Sequence, residues 1–314
     1  MSSIERAVSR LAEARAEPAD SRNDTGAGPA PLERKTTIEK LADRLGEAAP
    51  RPSPMAPPPE TRTPDRTADH PEPVRIQLDA IRARGMVAPD GSPTPSAHEF
   101  RIIKRPLVYN AFGRPGQPAV QNGRRIMVTS AFPGEGKTFC AINLAMSIAA
   151  ERDRGVILVD ADVARPSIPR ELGIQVQAGL MEWLLGEERD LTRLVRPTNV
   201  DTLSLLPAGR RHEQATELLA SESMGRLLDR LSESYPECLF IFDSPPLLVT
   251  TEARVLASYM GQVVMVVEAG KTPREAVTQA LATIESNEII GLVLNKAQDI
   301  ESGGYYQGYG YGPA

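Results

Sequence analysis

Residues Ser130 to Thr138 read Ser-Ala-Phe-Pro-Gly-Glu-Gly-Lys-Thr. They follow an apolar run at Ile126–Ser130 and lead into a helical pattern at Thr138–Ala150. A glycine-rich loop that ends in Gly-Lys-Thr between a strand and a helix is typical of a phosphate-binding P-loop. The position that is usually the first glycine of this motif is Ala131 here, and a second small residue is expected to fit.

Each residue type in this loop suits a polyphosphate. Gly134 and Gly136 allow backbone N–H groups to turn toward the anion, and the positive end of the helix dipole points at the same charge. Lys137 is expected to reach the β- and γ-phosphates, and Thr138 to offer its hydroxyl to Mg²⁺. The sequence therefore predicts a site for ATP and Mg²⁺. The loop residues that we expect to bind nucleotide are Pro133, Gly134, Glu135, Gly136, Lys137 and Thr138.

Three carboxylates follow two other apolar runs. Asp160 and Asp162 come after Ile157–Val159, and Asp243 comes after Phe240–Phe242. Ligands of open α/β sheets bind beyond the carboxyl ends of the strands, so these groups are expected to converge on the P-loop. Asp243 is expected to hold the Mg²⁺ shell together with Asp162 and the Thr138 hydroxyl. Asp160 and Asp162 share the candidate role of general base, with Asp160 slightly favoured, and a capping role is the alternative for Asp162. The predicted catalytic set consists of Lys137, Asp160, Asp162 and Asp243.

The rest of the pattern predicts an α/β fold with a doubly wound, mostly parallel sheet and helices on both faces. Short, nearly continuous apolar runs alternate with helical segments, which is typical of strands buried on both sides. The further predicted strands are Val156–Val159, Leu203–Leu206, Leu239–Phe242, Val263–Val267 and Ile289–Leu294, and the further predicted helices are Ser223–Glu233, Glu252–Met260 and Pro273–Glu285.

Composition divides the chain of 314 residues into three parts. Fifteen of its 28 prolines precede Ser96, so residues 1–95 are expected to form a mostly disordered arm with short helices at Ile4–Ala16 and Thr36–Leu45. Residues 96–302 are expected to form the P-loop domain. Residues 303–314 are rich in Gly and Tyr, have no core pattern and are expected to form a flexible tail.

Charge and apolar length exclude several classes of protein. The net charge is −5 and basic residues are not clustered, so nucleic acid is not an expected partner. No signal peptide and no run of about eighteen apolar residues is present, so a cytoplasmic location is expected. Cys140 and Cys238 lie in apolar segments without metal-ligand spacing and are expected to be free thiols.

The motifs together resemble those of the bacterial tyrosine kinases, a P-loop family. The resemblance rests on the P-loop, on Ile157–Asp162, on Phe240–Pro246 and on a C-terminal tyrosine cluster, and it extends from about Glu99 to the C-terminus. The layout is most similar to the exosortase-associated tyrosine autokinases, a similarity that includes the segment from Glu99 to Leu107.

This resemblance implies a protein-tyrosine autokinase that serves exopolysaccharide synthesis and export. It also implies a homo-oligomer, possibly a ring, an activating membrane chain similar to a polysaccharide chain-length regulator, and a cognate phosphatase. The chain would then lie at the inner membrane through that partner. Similar ATPases place the counterparts of Asn295 and Lys296 near the adenine base, and a strand-end cap is the alternative.

Two departures from the family pattern concern charged residues. The family often has Arg two residues after the second Asp of its D-x-D motif, where this chain has Ala164 followed by Arg165. Its E-x-x-R-x-x-R oligomerisation motif is partly met, with His98, Arg101 and Lys104 at the three positions and Glu99 next to the first.

Four of the seven tyrosines lie in the last ten residues, separated by Gly and Gln. Because a flexible tail can enter the active site of a neighbouring subunit, these side chains are the predicted phosphate acceptors. They are Tyr305, Tyr306, Tyr309 and Tyr311.

Two other functions fit the P-loop. One is an ATPase switch of the partition or cell-division-site type, although Phe132 and Pro133 stand where those ATPases carry a signature Lys-Gly. The other is a nucleotide-bound adaptor without catalysis, which the intact Lys137, Thr138 and three aspartates argue against.

Overall fold

The structure is a computed structural model, and it describes residues 72–90, 94–284, 287 and 289–297. These residues belong to one compact unit within residues 64–314. The arm helices expected at Ile4–Ala16 and Thr36–Leu45 and the tail tyrosines lie outside the described residues.

The described residues form seven strands and ten helices. The strands are β1 Arg125–Ser130, β2 Gly155–Asp160, β3 Arg196–Pro197, β4 Leu203–Leu206, β5 Cys238–Asp243, β6 Gln262–Glu268 and β7 Ile290–Asn295. The helices are α1 Leu78–Ala83, α2 Pro95–Phe112, α3 Lys137–Ala149, α4 Ile168–Leu172, α5 Leu180–Leu184, α6 Leu191–Leu194, α7 Ala215–Leu219, α8 Glu222–Ser234, α9 Glu252–Ser258 and α10 Arg274–Ala282.

The strands form one sheet in the order β3-β4-β2-β5-β1-β6-β7. All neighbours are parallel except β3 and β4, which are antiparallel. Alternate residues of the central strands enter two apolar clusters. Met127 and Phe240 belong to one cluster, and Ile126 and Ile241 belong to the other. This confirms the predicted doubly wound fold, because burial on both faces explains the continuous apolar runs.

Helix α2 is a feature that the apolar pattern did not predict. Its first turn is capped by the Thr94 hydroxyl, which accepts the Ala97 N–H at 3.0 Å, and the helix ends at Gly113 with a φ of 77°. It packs along α3, where the rings of Phe100 and Phe139 meet edge to face at 6.4 Å. Pro106 inside the helix obscures the helical signal in the sequence.

Residues 72–90 belong to the same packed unit. Ile76, Ile81, Met86 and Val87 are buried in the cluster that covers one face of the sheet. The side chain of Asn143 accepts the Val87 N–H at 2.6 Å. The folded part therefore begins before residue 96, where composition alone put the boundary, because a short apolar segment next to a Pro-rich stretch gives a weak signal.

No helix among the described residues is long and apolar enough to cross a membrane. Cys140 is buried and Cys238 is half-buried, and both are free thiols as expected.

Candidate functional site

The P-loop joins β1 to α3 with the backbone geometry that its glycines predict. Gly134 has a φ of 86° and Gly136, which immediately precedes α3, has a φ of 95°. These values lie in the left-handed region, which glycine enters without steric cost. Ala131 is fully buried and its φ is not positive, so a small side chain is sufficient at this position and glycine is not required.

Lys137 lies among the three predicted carboxylates. Its Nζ donates to Asp162 Oδ2 at 2.8 Å, and the two side chains are only 13% and 7% exposed. Burial alone would lower the pKa of Lys137, but the charges of Asp243, Asp162 and Asp160 outweigh it, so the pKa is raised. The lysine is therefore a fixed cation at the start of the helix.

Asp160 and Asp243 are paired neighbours at the ends of β2 and β5. Both side chains are completely buried. Asp160 Oδ2 accepts the N–H groups of Ser167 and Ile168, each at 3.1 Å. Its Oδ1 and both carboxylate oxygens of Asp243 are buried without a hydrogen-bond partner in the described part of the chain. Three orphaned oxygens at one point indicate a missing cationic or donating ligand.

The donor set at this point fits Mg²⁺. The carboxylate oxygens of Asp243 are hard ligands, and the Thr138 hydroxyl lies on α3, 3.0 Å from Ser167 Oγ. The described residues contain no group of three or more His, Cys, Asp or Glu side chains that could hold a metal by themselves. Mg²⁺ commonly takes one or two carboxylates and completes its shell with water and phosphate. Asp162 Oδ2 forms the ion pair with Lys137 at 2.8 Å, and its role as a metal ligand stays a prediction.

Burial perturbs two of the carboxyl groups. Burial, helped by the charge of Asp243, raises the pKa of Asp160 to about 8. Burial also raises the pKa of Asp243 to about 6, against the opposing charge of Lys137. A group that titrates near neutral pH can exchange a proton during a reaction, and the assignment of the base to Asp160 stays a prediction.

These shifts predict how stability depends on pH. Both groups bind a proton more tightly in the folded chain than in the unfolded chain, so their contribution is complete below about pH 4 and is lost as pH rises through about 6 and 8. Each group contributes a slope of at most about 1.4 kcal/mol per pH unit. Urea unfolding from pH 5 to 9 should show that Asp160→Asn, which mimics the neutral acid, gains stability relative to the unaltered chain as pH rises. A difference that stays constant across this range would contradict the prediction.

Asn295 lies at the P-loop, at the end of β7. Its Nδ2 donates to the carbonyl oxygen of Glu135 at 2.8 Å. The next residue, Lys296, donates from Nζ to the carbonyl oxygen of Gly134 at 2.7 Å. For Asn295 and Lys296 together the sequence predicts an adenine contact or a strand-end cap, and the structure places both side chains against P-loop carbonyls.

The other expected loop residues lie as follows. Pro133 is exposed at the tip of the loop. Glu135 is buried, and its carboxylate accepts the Phe132 N–H at 2.8 Å and the Thr272 hydroxyl. Its side chain therefore turns back into the loop. Thr272 follows β6 and belongs to no motif in the sequence, so the sequence gives no sign of its contact with the P-loop.

The P-loop region matches a known family. Residues 121–295 match the family model described as ParA, NUBPL iron-transfer P-loop NTPase. The tyrosine-protein kinase YwqD of Bacillus subtilis is 29% identical over 228 residues, which are 71% of this chain and 91% of that protein. The succinoglycan biosynthesis transport protein ExoP of Rhizobium meliloti is 31% identical over 193 residues, which are 60% of this chain. This chain spans only 23–25% of the length of ExoP and the other long relatives.

A solved structure agrees with these relatives. The kinase domain of the Escherichia coli tyrosine kinase ETK is 26% identical, covers 71% of this chain and 84% of its own, and has a TM-score of 0.59. The resemblance to bacterial tyrosine kinases that the motifs indicated is therefore confirmed.

Proposed function

The chain belongs to the ParA-type family of P-loop NTPases, and within that family we propose that it is an ATP-dependent protein-tyrosine kinase that phosphorylates its own C-terminal tyrosines. The observation that carries this proposal is the meeting of Lys137, Asp160, Asp162 and Asp243 beside the P-loop. Relatives named as tyrosine kinases support the choice of acceptor.

ATP would bind with its phosphates against the P-loop. The backbone of residues 133–138 and the Lys137 ammonium would hold the β- and γ-phosphates. Thr138 and Asp243 would hold Mg²⁺, with Asp162 as the further ligand that the sequence suggested. Mg²⁺ would neutralise charge that develops on the transferred group.

The reaction transfers one phosphoryl group. The phenolic oxygen of a tyrosine forms a bond to the γ-phosphorus, the bond from that phosphorus to the bridging oxygen breaks, and ADP leaves. The phenolic proton passes to Asp160, whose Oδ1 has no partner among the described side chains and whose pKa is raised to about 8. Lys137, held by Asp162 at 2.8 Å, stabilises the developing charge without reorganising.

The proposed acceptors are Tyr305, Tyr306, Tyr309 and Tyr311, presented in trans by a neighbouring subunit. An oligomer is consistent with the exposed residues Glu99 and Arg101 on α2. Lys104, which takes the second Arg position of the family's oligomerisation motif, is 3% exposed and donates to the Ser147 carbonyl. Assembly would therefore rely on Arg101 and its exposed neighbours, and not on Lys104.

The cellular role that we propose is regulation of exopolysaccharide synthesis or export. One relative carries the name of a succinoglycan biosynthesis transport protein. A membrane chain similar to a chain-length regulator would activate the kinase at the inner membrane, and a phosphatase would reverse the modification. The similarity of the motifs to exosortase-associated autokinases supports this arrangement.

An ATPase switch is the second candidate, because the matching family model is of the ParA type. In that case the chain would hydrolyse ATP without modifying tyrosine.

The proposal is tested by intact-mass measurement of the full chain before and after incubation with Mg-ATP, followed by digestion. We expect additions of phosphate located on Tyr305 to Tyr311. If none appears, the measurement is repeated with the cytosolic segment of the candidate membrane partner. ADP release without added mass in both experiments would refute the kinase and favour the switch.

A further inference from the structure

Two successive carbonyl groups of the P-loop are held by the end of β7. Asn295 Nδ2 donates to the carbonyl of Glu135 at 2.8 Å, and Lys296 Nζ donates to the carbonyl of Gly134 at 2.7 Å. The approach is close, since a Cβ placed on Gly136 would lie 2.0 Å from Asn295 Nδ2. Position 136 therefore requires glycine for two reasons, the close approach of Asn295 and the positive φ.

These contacts fix the direction of two N–H groups. In a planar trans peptide the N–H points opposite to the C=O, and the described residues contain no cis peptide. With the carbonyls of Gly134 and Glu135 bound on the β7 side, the N–H groups of Glu135 and Gly136 must point away from β7. Successive N–H groups turned to one side form an anion-binding concavity.

The Glu135 carboxylate is fixed from the neighbouring loop. It accepts the N–H of Phe132 and the hydroxyl of Thr272. The Thr272 hydroxyl in turn accepts the N–H of Glu268 at 3.2 Å. Because this carboxylate is folded away from the helix start, it does not compete with a phosphate there.

The backbone of Lys296 is unusual. Its φ is 57°, in the left-handed region that non-glycine residues rarely adopt. Its amine also lies 3.3 Å from Glu268 Oε2, so the side chain is held between that carboxylate and the Gly134 carbonyl. A conformation of this kind persists where the surrounding structure requires it, and it points to function.

We infer that Asn295 and Lys296 are positioning residues of the polyphosphate site. They turn two P-loop carbonyls away from the anion, so that the N–H groups of Glu135 and Gly136 are already aligned before nucleotide binds. Lys296 acts through the loop and is not a phosphate ligand, since its amine is bound to a carbonyl. The inference rests on the nucleotide binding in the proposed function and is independent of tyrosine phosphorylation.

The test compares affinity with stability in Lys296→Gly. Titration of the full chain with a fluorescent N-methylanthraniloyl ADP and Mg²⁺ should show about tenfold weaker binding, the loss typical of one hydrogen bond to a charged donor. The melting temperature should stay the same or rise, because glycine adopts the left-handed backbone without strain. Lys296→Arg, which keeps a cationic donor, should recover most of the affinity. A purely structural role would lower affinity and melting temperature together.

Lys271→Met is the matched control. Lys271 is also a cation bound to Glu268, at 3.3 Å, and among the described residues its amine makes no hydrogen bond or ion pair with the P-loop. The Lys271→Met variant should bind the fluorescent ADP with the same affinity as the unaltered chain. Equal losses in Lys271→Met and Lys296→Gly would mean that general positive charge, and not loop position, sets the affinity, and would overturn the inference. Normal affinity in Lys296→Gly would overturn it as well.

Hydrogen exchange separates this inference from the proposed function. In the nucleotide-free chain, the amides of residues 131–138 should exchange faster in Lys296→Gly than in Lys271→Met. Unchanged exchange would refute the role of Lys296 in holding the loop. If the unaltered chain binds no nucleotide, the proposed function fails, and the exchange rates still decide whether Lys296 holds the loop.

Discussion

Lys137→Met should abolish phosphate transfer to tyrosine while the chain still folds near pH 6. The lysine is the cation that touches Asp162 at 2.8 Å, and it is surrounded by the charges of Asp243 and Asp160. Removing one preorganised donor from a transition state typically reduces the rate about 10²–10³-fold. Methionine keeps the aliphatic packing and removes the charge, so the loss reports on chemistry. Quantitative phosphotyrosine mass spectrometry after incubation with Mg-ATP provides the measurement.

The same change also leaves buried carboxylates without their cation. Removing one partner of a buried ion pair costs about 3–5 kcal/mol, although carboxyl groups that take up a proton reduce this penalty. Stability should therefore be lost mainly at high pH, where Asp160 and Asp243 ionise. In Lys137→Met combined with Asp162→Asn, stability should recover because the orphaned charge is gone, and activity should not.

This double variant separates folding from catalysis. Lys271→Met again serves as the control, because that lysine is 72% exposed and lies outside the P-loop. Tyrosine phosphorylation that persists in Lys137→Met would overturn the assignment of this site. Recovery of both phosphorylation activity and stability in the double variant would also overturn the assignment of this site.

Local features of the sequence predicted most of the sheet. The six long strands lie within one residue of their predicted limits, because each is an apolar run that ends at a polar residue or, in β4, before Pro207. The position of Asp160 beside Asp243 also followed from the sequence, since parallel strands bring their carboxyl ends to one edge. These predictions needed only the local pattern and one rule of topology.

Long-range contacts explain what the sequence did not predict. Asn295 meets Glu135 across 160 residues, and no local pattern indicates that pairing. Lys104 stands at one position of the partly met oligomerisation motif, but it is buried on α2, where it donates to the Ser147 carbonyl and pairs with Glu151. Whether a polar side chain faces solvent or a neighbouring helix depends on helix packing, and the sequence of α2 alone does not determine it.

Replacement of Tyr305, Tyr306, Tyr309 and Tyr311 together by phenylalanine should remove autophosphorylation and leave nucleotide affinity unchanged. Phenylalanine keeps each ring and removes only the hydroxyl that attacks phosphorus. Tyr109→Phe is the matched control, because Tyr109 is 49% exposed on α2 and is not a proposed acceptor. Phosphate that moves to Tyr109 or another residue in the four-fold variant would contradict a specific tail acceptor.

Mixing the two inactive chains tests transfer between subunits. The four-fold Phe variant keeps the P-loop and carboxylates but has no tail acceptor, whereas Lys137→Met keeps the tail and lacks the catalytic cation. If transfer occurs in trans, Mg-ATP should place phosphate on the tail of Lys137→Met only when both are present. Each phosphotyrosine adds roughly −1.5 to −2 charges, so four on one tail exceed the chain's net charge of −5. Because such tails repel one another, the assembly should dissociate as phosphate accumulates, which light scattering can follow. If the tail of Lys137→Met stays unmodified in the mixture while the unaltered chain alone phosphorylates its own tail, each subunit modifies only itself.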